Sequence, residues 1–169
     1  SSLIHHLLKQ TGRDTILVGN IGIACFDSID QINENTIIVF EISCHQLEFI
    51  QASPHVAILL NLYEEHLDHY KKAEDYYNAK KNIYKSQGTN DILIYGDIFQ
   101  HASREEIANL PMHKIDIYHD IDIPKEDIHT HLVGDHNLHN IYAAISACEA
   151  VGVDQNEALK HLDSFRGLP

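Results

Sequence analysis

The sequence predicts an α/β fold, a mostly parallel sheet flanked by helices, on three grounds. Short β-rich runs alternate with longer stretches of helical periodicity. Two of the runs, TIIVFEIS and HVAILLNL, are almost continuously apolar, as strands are when both sheet faces are covered. With 169 residues and 44% apolar content, the chain can bury a core without disulfides or metal staples.

The elements follow in order. Leu3, Ile4, Leu7 and Leu8 form one helical stripe that stops at Gly12, a residue suited to a left-handed C-terminal cap. DTILVGN reads as the first strand; TIIVFEIS and HVAILLNL come next and are expected to lie centrally. From Ala73 to Lys85 the pattern is helical and ends at Gly88, before a strand at DILIYG and a helix at SREEIANL. KIDIYHD reads as an edge strand and HTHLVG as a short one. A helix then runs from Leu138 to Val151 with Leu138, Ile141, Tyr142 and Ile145 apolar, and a last helix spans roughly Gln155 to Phe165. No repeat, low-complexity tract or Pro/Gly-rich linker interrupts residues 1–169, so they are read as one domain. Because the chain opens directly on a helix and closes on FRGLP, it is expected to be cut from a longer protein.

Composition narrows the function. Apolar runs such as Val56 to Leu60 fall far short of the roughly 20 residues that cross a bilayer, and SSLIHHLLKQ has no basic start or cleavage site of a signal peptide, so a cytoplasmic location is expected. Cys25, Cys44 and Cys148 are widely spaced and read as reduced, small buried hydrophobes. A net charge of -13 argues against a nucleic-acid backbone as partner, because that binding rests on clustered Lys and Arg. A small anionic substrate remains compatible through metal ions and backbone amides. The 14 histidines are mostly isolated.

Four segments carry residues with chemical potential. In EISCHQLE, Glu41 ends an apolar strand; ligands of open α/β sheets bind beyond such ends, so it can hold a cation or simply face solvent. NLYEEHLDHY also follows an apolar strand and offers Glu64, Glu65, His66, Asp68 and His69, donors for a divalent metal or merely a solvated acidic loop. Lys80 in YYNAKKNIY sits on a helix, where a lysine is ordinarily a solvated charge. GDHNLHN starts a helix with Asn137 and Asn140 on one face at i, i+3 spacing. Those amides can cap the helix or, each offering a donor and an acceptor, read a purine edge.

Taken in this order, the segments resemble the central domain of the Mur ligases over almost the whole chain. EISCHQLE resembles the ELSSFQLE segment of the D-glutamate-adding members, NLYEEHLDHY their N-x-x-x-[ED]-H-L-D loop and YYNAKKNIY their Y-x-x-A-K-x-x-I-Y helix. GDHNLHNIYAA resembles the G-x-H-N-x-x-N-x-x-A-A helix start, and FRGLP the F-x-G-L-P leading into the family's C-terminal domain. GNIG at Gly19 to Gly22 matches a family segment near the nucleotide-linked substrate. Cys44 and His45 replace the usual Ser-Phe, and His45 resembles the residue found in the ligase that adds the third stem-peptide residue.

The resemblance implies a P-loop NTPase-like domain of an ATP-dependent acid–amino-acid ligase. That enzyme would add D-glutamate to UDP-N-acetylmuramoyl-L-alanine through an acyl phosphate, in peptidoglycan synthesis, as a monomer with ATP and Mg2+ and without nucleic acid or membrane. It implies that Glu41 and His66 bind magnesium and that Lys80 takes up carbon dioxide to become a carbamate ligand. Lys80 is preferred to Lys81 because Ala79 precedes it and Ile83 and Tyr84 follow at the family's offsets. Ser1 and Ser2 would be the last hydroxyls of the phosphate loop G-T-x-G-K-[ST]-[ST], with Ser1 reaching magnesium. Asn20, Ser43 and Gln46 would contact the substrate, and Asn137 and Asn140 would line the adenine side of the ATP pocket. Without the glycines and lysine of that loop and without the C-terminal domain, these residues alone are expected to be inactive. Competing readings are another ligase of the superfamily (the third-residue-adding muramyl ligase or folylpolyglutamate synthase), a hydrolase with a metal on Glu41, His66, Asp68 and His69, and a non-catalytic nucleotide-binding module.

Overall fold

The computed structural model describes residues 1–62, 70, 72–100 and 102–167. They divide into two compact units, Ser1–Ile42 with Asp122–Pro169, and Ser43–Ile121.

In the first unit, helix α1 (Ser2–Gln10) leads into strand β1 (Thr15–Gly19), a 3-10 segment (Cys25–Gln31) and strand β2 (Ile37–Glu41). The strands pair in parallel, Thr15 opposite Ile37 through Gly19 opposite Glu41. The predicted stripe of α1 buries Leu3, Leu7 and Leu8 against β1 and helix α5 (Asp135–Ala150). Each such leucine contributes about 1.5–3 kcal/mol of burial. The helix stops as expected: the Thr11 hydroxyl donates to the Leu7 carbonyl at 2.9 Å, and Gly12 follows at φ +76°. Helix α5 buries Ile141 and Ala143 through Cys148, so small residues let its neighbours approach closely. Helix α6 (Gln155–Lys160) is capped by Asp154, whose side chain accepts from the amides of Asn156 and Glu157.

In the second unit, helix α2 (Cys44–Leu47) precedes strand β3 (Val56–Asn61), helix α3 (Ala73–Lys85), strand β4 (Ile92–Asp97), helix α4 (Arg104–Ala108) and strand β5 (His113–Asp116). The three strands run parallel in the order β3-β4-β5. Gly96 in β4 lies against the Leu60 backbone so closely that a Cβ there would collide with it. The core gathers Tyr76, Leu93, Ile98, Ile107 and Ala57, and Tyr76 meets the edges of Tyr70 and Tyr77 with centroids 5.5 and 5.4 Å apart.

The α/β class and the parallel pairing are as the sequence predicts, and α3 has the predicted bounds. Three details differ. HTHLVG is not a strand: the Thr130 hydroxyl accepts from the Leu132 amide and closes a local turn, and Val133 is 83% exposed. β3 occupies an edge of its three-stranded sheet while β4 takes the middle, and β2 exposes Ile38 and Phe40. The last helix is shorter than expected, α6 giving way to a 3-10 turn at Leu162–Ser164. Cys44 and Cys148 are buried thiols as read, whereas Cys25 is only half-buried. No helix among the described residues is long and apolar enough to cross a membrane.

Candidate functional site

Parallel pairing brings the carboxyl ends of β1 and β2 side by side, because Gly19 and Glu41 are register partners. The Asn20 amide donates to the Glu41 carbonyl at 3.0 Å, fixing the turn that leaves β1. Gly19 is at φ +108°, and a side chain there would collide with that same carbonyl. Gly22, at φ +92°, packs as tightly on the Leu17 backbone, and the Ile23 amide donates to the Leu17 carbonyl at 3.1 Å. The glycines of GNIG are therefore required by geometry.

The start of α1 belongs to the same end of this unit. Ser1 at the start of α1 lies within electrostatic reach of the Glu41 charge. The Ser2 hydroxyl is buried without a hydrogen-bond partner, and Ser1 caps α1 without a side-chain bond. Ser1, Ser2, Asn20 and Glu41 thus gather where a helix N-terminus meets two strand ends, a setting that favours anions and their counter-cations. Among the described residues the Glu41 carboxylate has no side-chain partner, and no three His, Cys, Asp or Glu side chains form a metal cage.

Also in this unit, Gly134 at φ +99° starts α5. The Asn137 side chain donates to the Val133 carbonyl at 2.8 Å, and Asn140 donates weakly to Asn137 at 3.4 Å. Both amides face one side as expected; one donor of Asn137 is committed to the turn.

In the second unit, Ser43 and Gln46 close a capping box on α2. The Ser43 amide donates to Gln46 Oε1 at 2.9 Å, and the Gln46 amide donates to the Ser43 hydroxyl at 3.3 Å. Their side chains define how the chain enters α2, where His45 stacks on Tyr70 at 5.9 Å. The Tyr70 hydroxyl is pushed up chiefly by burial and next by its bond with Cys44.

The adjacent lysines of α3 have different surroundings. Lys80 lies half-buried with its Nζ 4.8 Å from the Tyr76 ring centroid, one turn back along the helix, and makes no ion pair among the described residues. Lys81 donates to both carboxylate oxygens of Glu106 on α4, at 3.0 and 3.1 Å. Sequence reasoning missed Glu106, although S-x-x-E at Ser103 signals the cap that orients it: the Glu106 amide donates to the Ser103 hydroxyl at 2.9 Å. A groove of about 610 Å³ on this unit, lined by Glu48, Asp75, Asn78, Asn82 and Lys85 among others, contains none of the predicted site residues.

His66, with Glu64, Glu65, Asp68 and His69, lies outside the described residues. Glu41 belongs to one unit and Lys80 to the other, and each is described within its own.

Residues 1–148 match the family described as the Mur ligase middle domain. The chain is 31% identical to UDP-N-acetylmuramoylalanine--D-glutamate ligase of Staphylococcus saprophyticus and 33% identical to that of Staphylococcus haemolyticus, in each case over 99% of the chain and 41% of the relative. It thus spans about two fifths of the length of these curated relatives. Among solved structures, the ligase MPL from Neisseria meningitides superposes with a TM-score of 0.75 at 16% identity, covering 99% of this chain and 62% of that one. MurF from Acinetobacter baumannii superposes with a TM-score of 0.70 at 18% identity over 98% of this chain and 43% of that one. At those identities the likeness concerns the fold.

Proposed function

This chain belongs to the Mur ligase family, matching its middle domain, and from that premise we propose that the intact protein is an ATP-dependent acid–amino-acid ligase adding D-glutamate to UDP-N-acetylmuramoyl-L-alanine. The reading is carried by the gathering of Ser1, Ser2, Asn20 and Glu41 at the start of α1 and the ends of β1 and β2. The activity of the relatives at 31% and 33% identity, both D-glutamate ligases by name, supports the choice of amino acid. The protein would act as a cytoplasmic monomer on small-molecule substrates.

The residues present suit magnesium. Hard oxygen donors are what that ion takes, and the Glu41 carboxylate and the Ser1 and Ser2 hydroxyls are of this kind, with Ser2 buried and unpaired. We assign Ser1, Glu41, His66 and a carbamate on Lys80 as its ligands. When bound, magnesium would neutralise charge on the phosphoryl oxygens during transfer.

The amides and hydroxyls at the start of α1 would orient the ATP phosphates, the helix dipole favouring their charge. Asn137 and Asn140 would read the adenine edge with the donors and acceptors left to them. Asn20, Ser43 and Gln46 would hold the UDP-sugar so that its carboxylate is aligned with the γ-phosphorus, and alignment of this sort removes much of the entropic barrier. The carboxylate oxygen bonds to phosphorus as ADP leaves. The D-glutamate amine then attacks the acyl carbon, phosphate leaves, and an amide remains.

The test is phosphate release by the intact protein with UDP-N-acetylmuramoyl-L-alanine and, in turn, D-glutamate, L-glutamate, L-lysine and diaminopimelate. Turnover is expected with D-glutamate alone. Lys80→Ala is expected to abolish it, with partial recovery on adding a short-chain carboxylate. Preference for another amino acid, or full turnover in Lys80→Ala, overturns the corresponding assignment.

A further inference from the structure

Between α2 and β3 the chain runs through residues 50–54 without helix or strand. Backbone carbonyls in such a stretch have no ladder of their own, so groups from elsewhere must meet them. The end of α3 supplies those groups. The Ser86 hydroxyl donates to the Gln51 carbonyl at 3.0 Å, and Gln87 Nε2 donates to the Pro54 carbonyl at 2.9 Å. The Ser53 hydroxyl donates to the Asn82 carbonyl at 3.1 Å and accepts from the Ser86 amide at 3.0 Å. The path of this connection is therefore set by a helix distant in sequence rather than by its own residues.

One further bond reaches α2 itself. Asn82 Nδ2 donates to the carbonyl of Leu47, the last residue of α2, at 3.0 Å. The final carbonyls of a helix lack partners within it, and a helix of a single turn has little stability alone. Side chains therefore hold α2 at both ends, the Ser43–Gln46 box at its start and Asn82 at its finish. The box commits Gln46 Oε1 to the Ser43 amide and hydroxyl at 2.9 and 3.1 Å, and leaves Gln46 Nε2 without a hydrogen bond among the described residues. Those Nε2 donors point where α2 directs them. On α3, Asn82 follows Lys80 by two positions, about 200° around the helix, so the two side chains leave from different sides.

We propose that Asn82 is a positioning residue for the UDP-linked substrate: by holding the Leu47 carbonyl it fixes α2, and with it the Ser43 hydroxyl and the Gln46 donors, at a set offset from Lys80 on the same helix α3. The proposal rests on the assignment of Ser43 and Gln46 to that substrate. It gives Asn82, which touches no substrate, the task of keeping the substrate helix aligned with the helix that carries the phosphoryl-transfer machinery, an alignment on which the entropic advantage depends.

The experiment measures steady-state phosphate release and thermal unfolding of the intact protein. In Asn82→Ala, and in Asn82→Asp, which keeps the shape and loses the donor, KM for UDP-N-acetylmuramoyl-L-alanine is expected to rise roughly three- to tenfold, the range that loss of one neutral hydrogen bond supports. KM for ATP and kcat should each move by less than about twofold. Ser86→Ala removes the bond to Gln51 without touching α2. It is expected to lower the unfolding temperature much as Asn82→Ala does while leaving KM at the wild-type value. Gln46→Ala should itself raise KM, and adding Asn82→Ala to it should raise KM no further, because both changes act through one contact. A lower unfolding temperature in Asn82→Ala with KM unchanged, or an equal rise of KM in Ser86→Ala, overturns the positioning role while leaving the substrate assignment intact. An unchanged KM in Gln46→Ala overturns that assignment and the positioning role with it.

Discussion

In the first unit the candidate site is made mostly of backbone: Gly19, Gly22 and Gly134 at φ values of +108°, +92° and +99°, the carbonyl of Glu41 and the start of α1. In the second it is made of side chains carried on helices, Lys80, Lys81 and Glu106, above a core of interlocked tyrosines. The contrast matches the chemistry assigned to each. Phosphates are bound by amides whose direction is a property of the chain path, whereas a modified amine must be presented by a long side chain at a defined helical position. It follows that the first site should be disrupted by adding a methyl group, and the second by removing a side chain.

The largest effect tests the second half of that statement. Tyr76 is completely buried at the centre of the aromatic cluster, and Tyr76→Ala should destabilise the protein by about 3–5 kcal/mol in denaturant unfolding. A change below about 1 kcal/mol would mean that the α3 helix is held by something other than its tyrosines. Next comes Gly19→Ala, which both forces a side chain into a left-handed backbone and drives it into the Glu41 carbonyl. It should cost about 1–3 kcal/mol and weaken binding of the UDP-linked substrate by the intact protein more than it weakens folding. Binding unchanged alongside a stability loss would separate this turn from that substrate.

Helix caps provide a control in which the units should behave alike. Asp154→Ala in the first and Ser103→Ala in the second each remove a side-chain acceptor from a helix start, and each should cost about 1 kcal/mol by thermal unfolding. Unequal losses would show that one of the two side chains has work beyond capping.

The smallest expected effect concerns pH. His6 is held below the usual histidine range chiefly by burial; the His161 carbonyl pulls it upward, and the charges of His161 and His5 push it further down. Its folded form resists protonation, so the associated stability is fully present above about pH 6.5 and is lost as pH falls below that value towards the folded pKa. In the second unit the depressed group is Asp91, bound by the Gly88 amide and then by His55. Its contribution is present above about pH 4 and lost only below it. Amide exchange protection should therefore fall in α1 but not in α3 between about pH 7 and about pH 5.5. Equal loss in both helices would show that the two units do not respond separately.

Those contrasts also explain what could be read from the sequence. Strands and helices with a continuous apolar stripe were legible, α3 to the residue, because burial imposes the period. HTHLVG was not, because a threonine hydroxyl outcompetes a ladder amide when only Leu132 and Val133 favour a strand. The 3-10 segment Cys25–Gln31 had no periodic signal: Phe26 and Ile29 are exposed, so no core enforces a pattern. Within the site, Gly19, Asn20 and Glu41 followed from strand ends and register. Ser43 and Gln46 show the opposite case, since S-x-x-Q is first a helix-start signature and the side chains are found closing a capping box. Glu106 escaped notice because its importance comes from a partner on another helix, 25 positions away in sequence.

The first unit is assembled from two stretches with the whole of the second between them. During synthesis, the leucines of α1 must therefore wait, uncovered by α5, while the intervening strands emerge and close around their tyrosines. Domains tend to fold as the ribosome releases them, so here the inserted second unit can close before the first has both of its stretches. A chaperone that shields a short leucine-rich helix would find its longest opportunity in that interval.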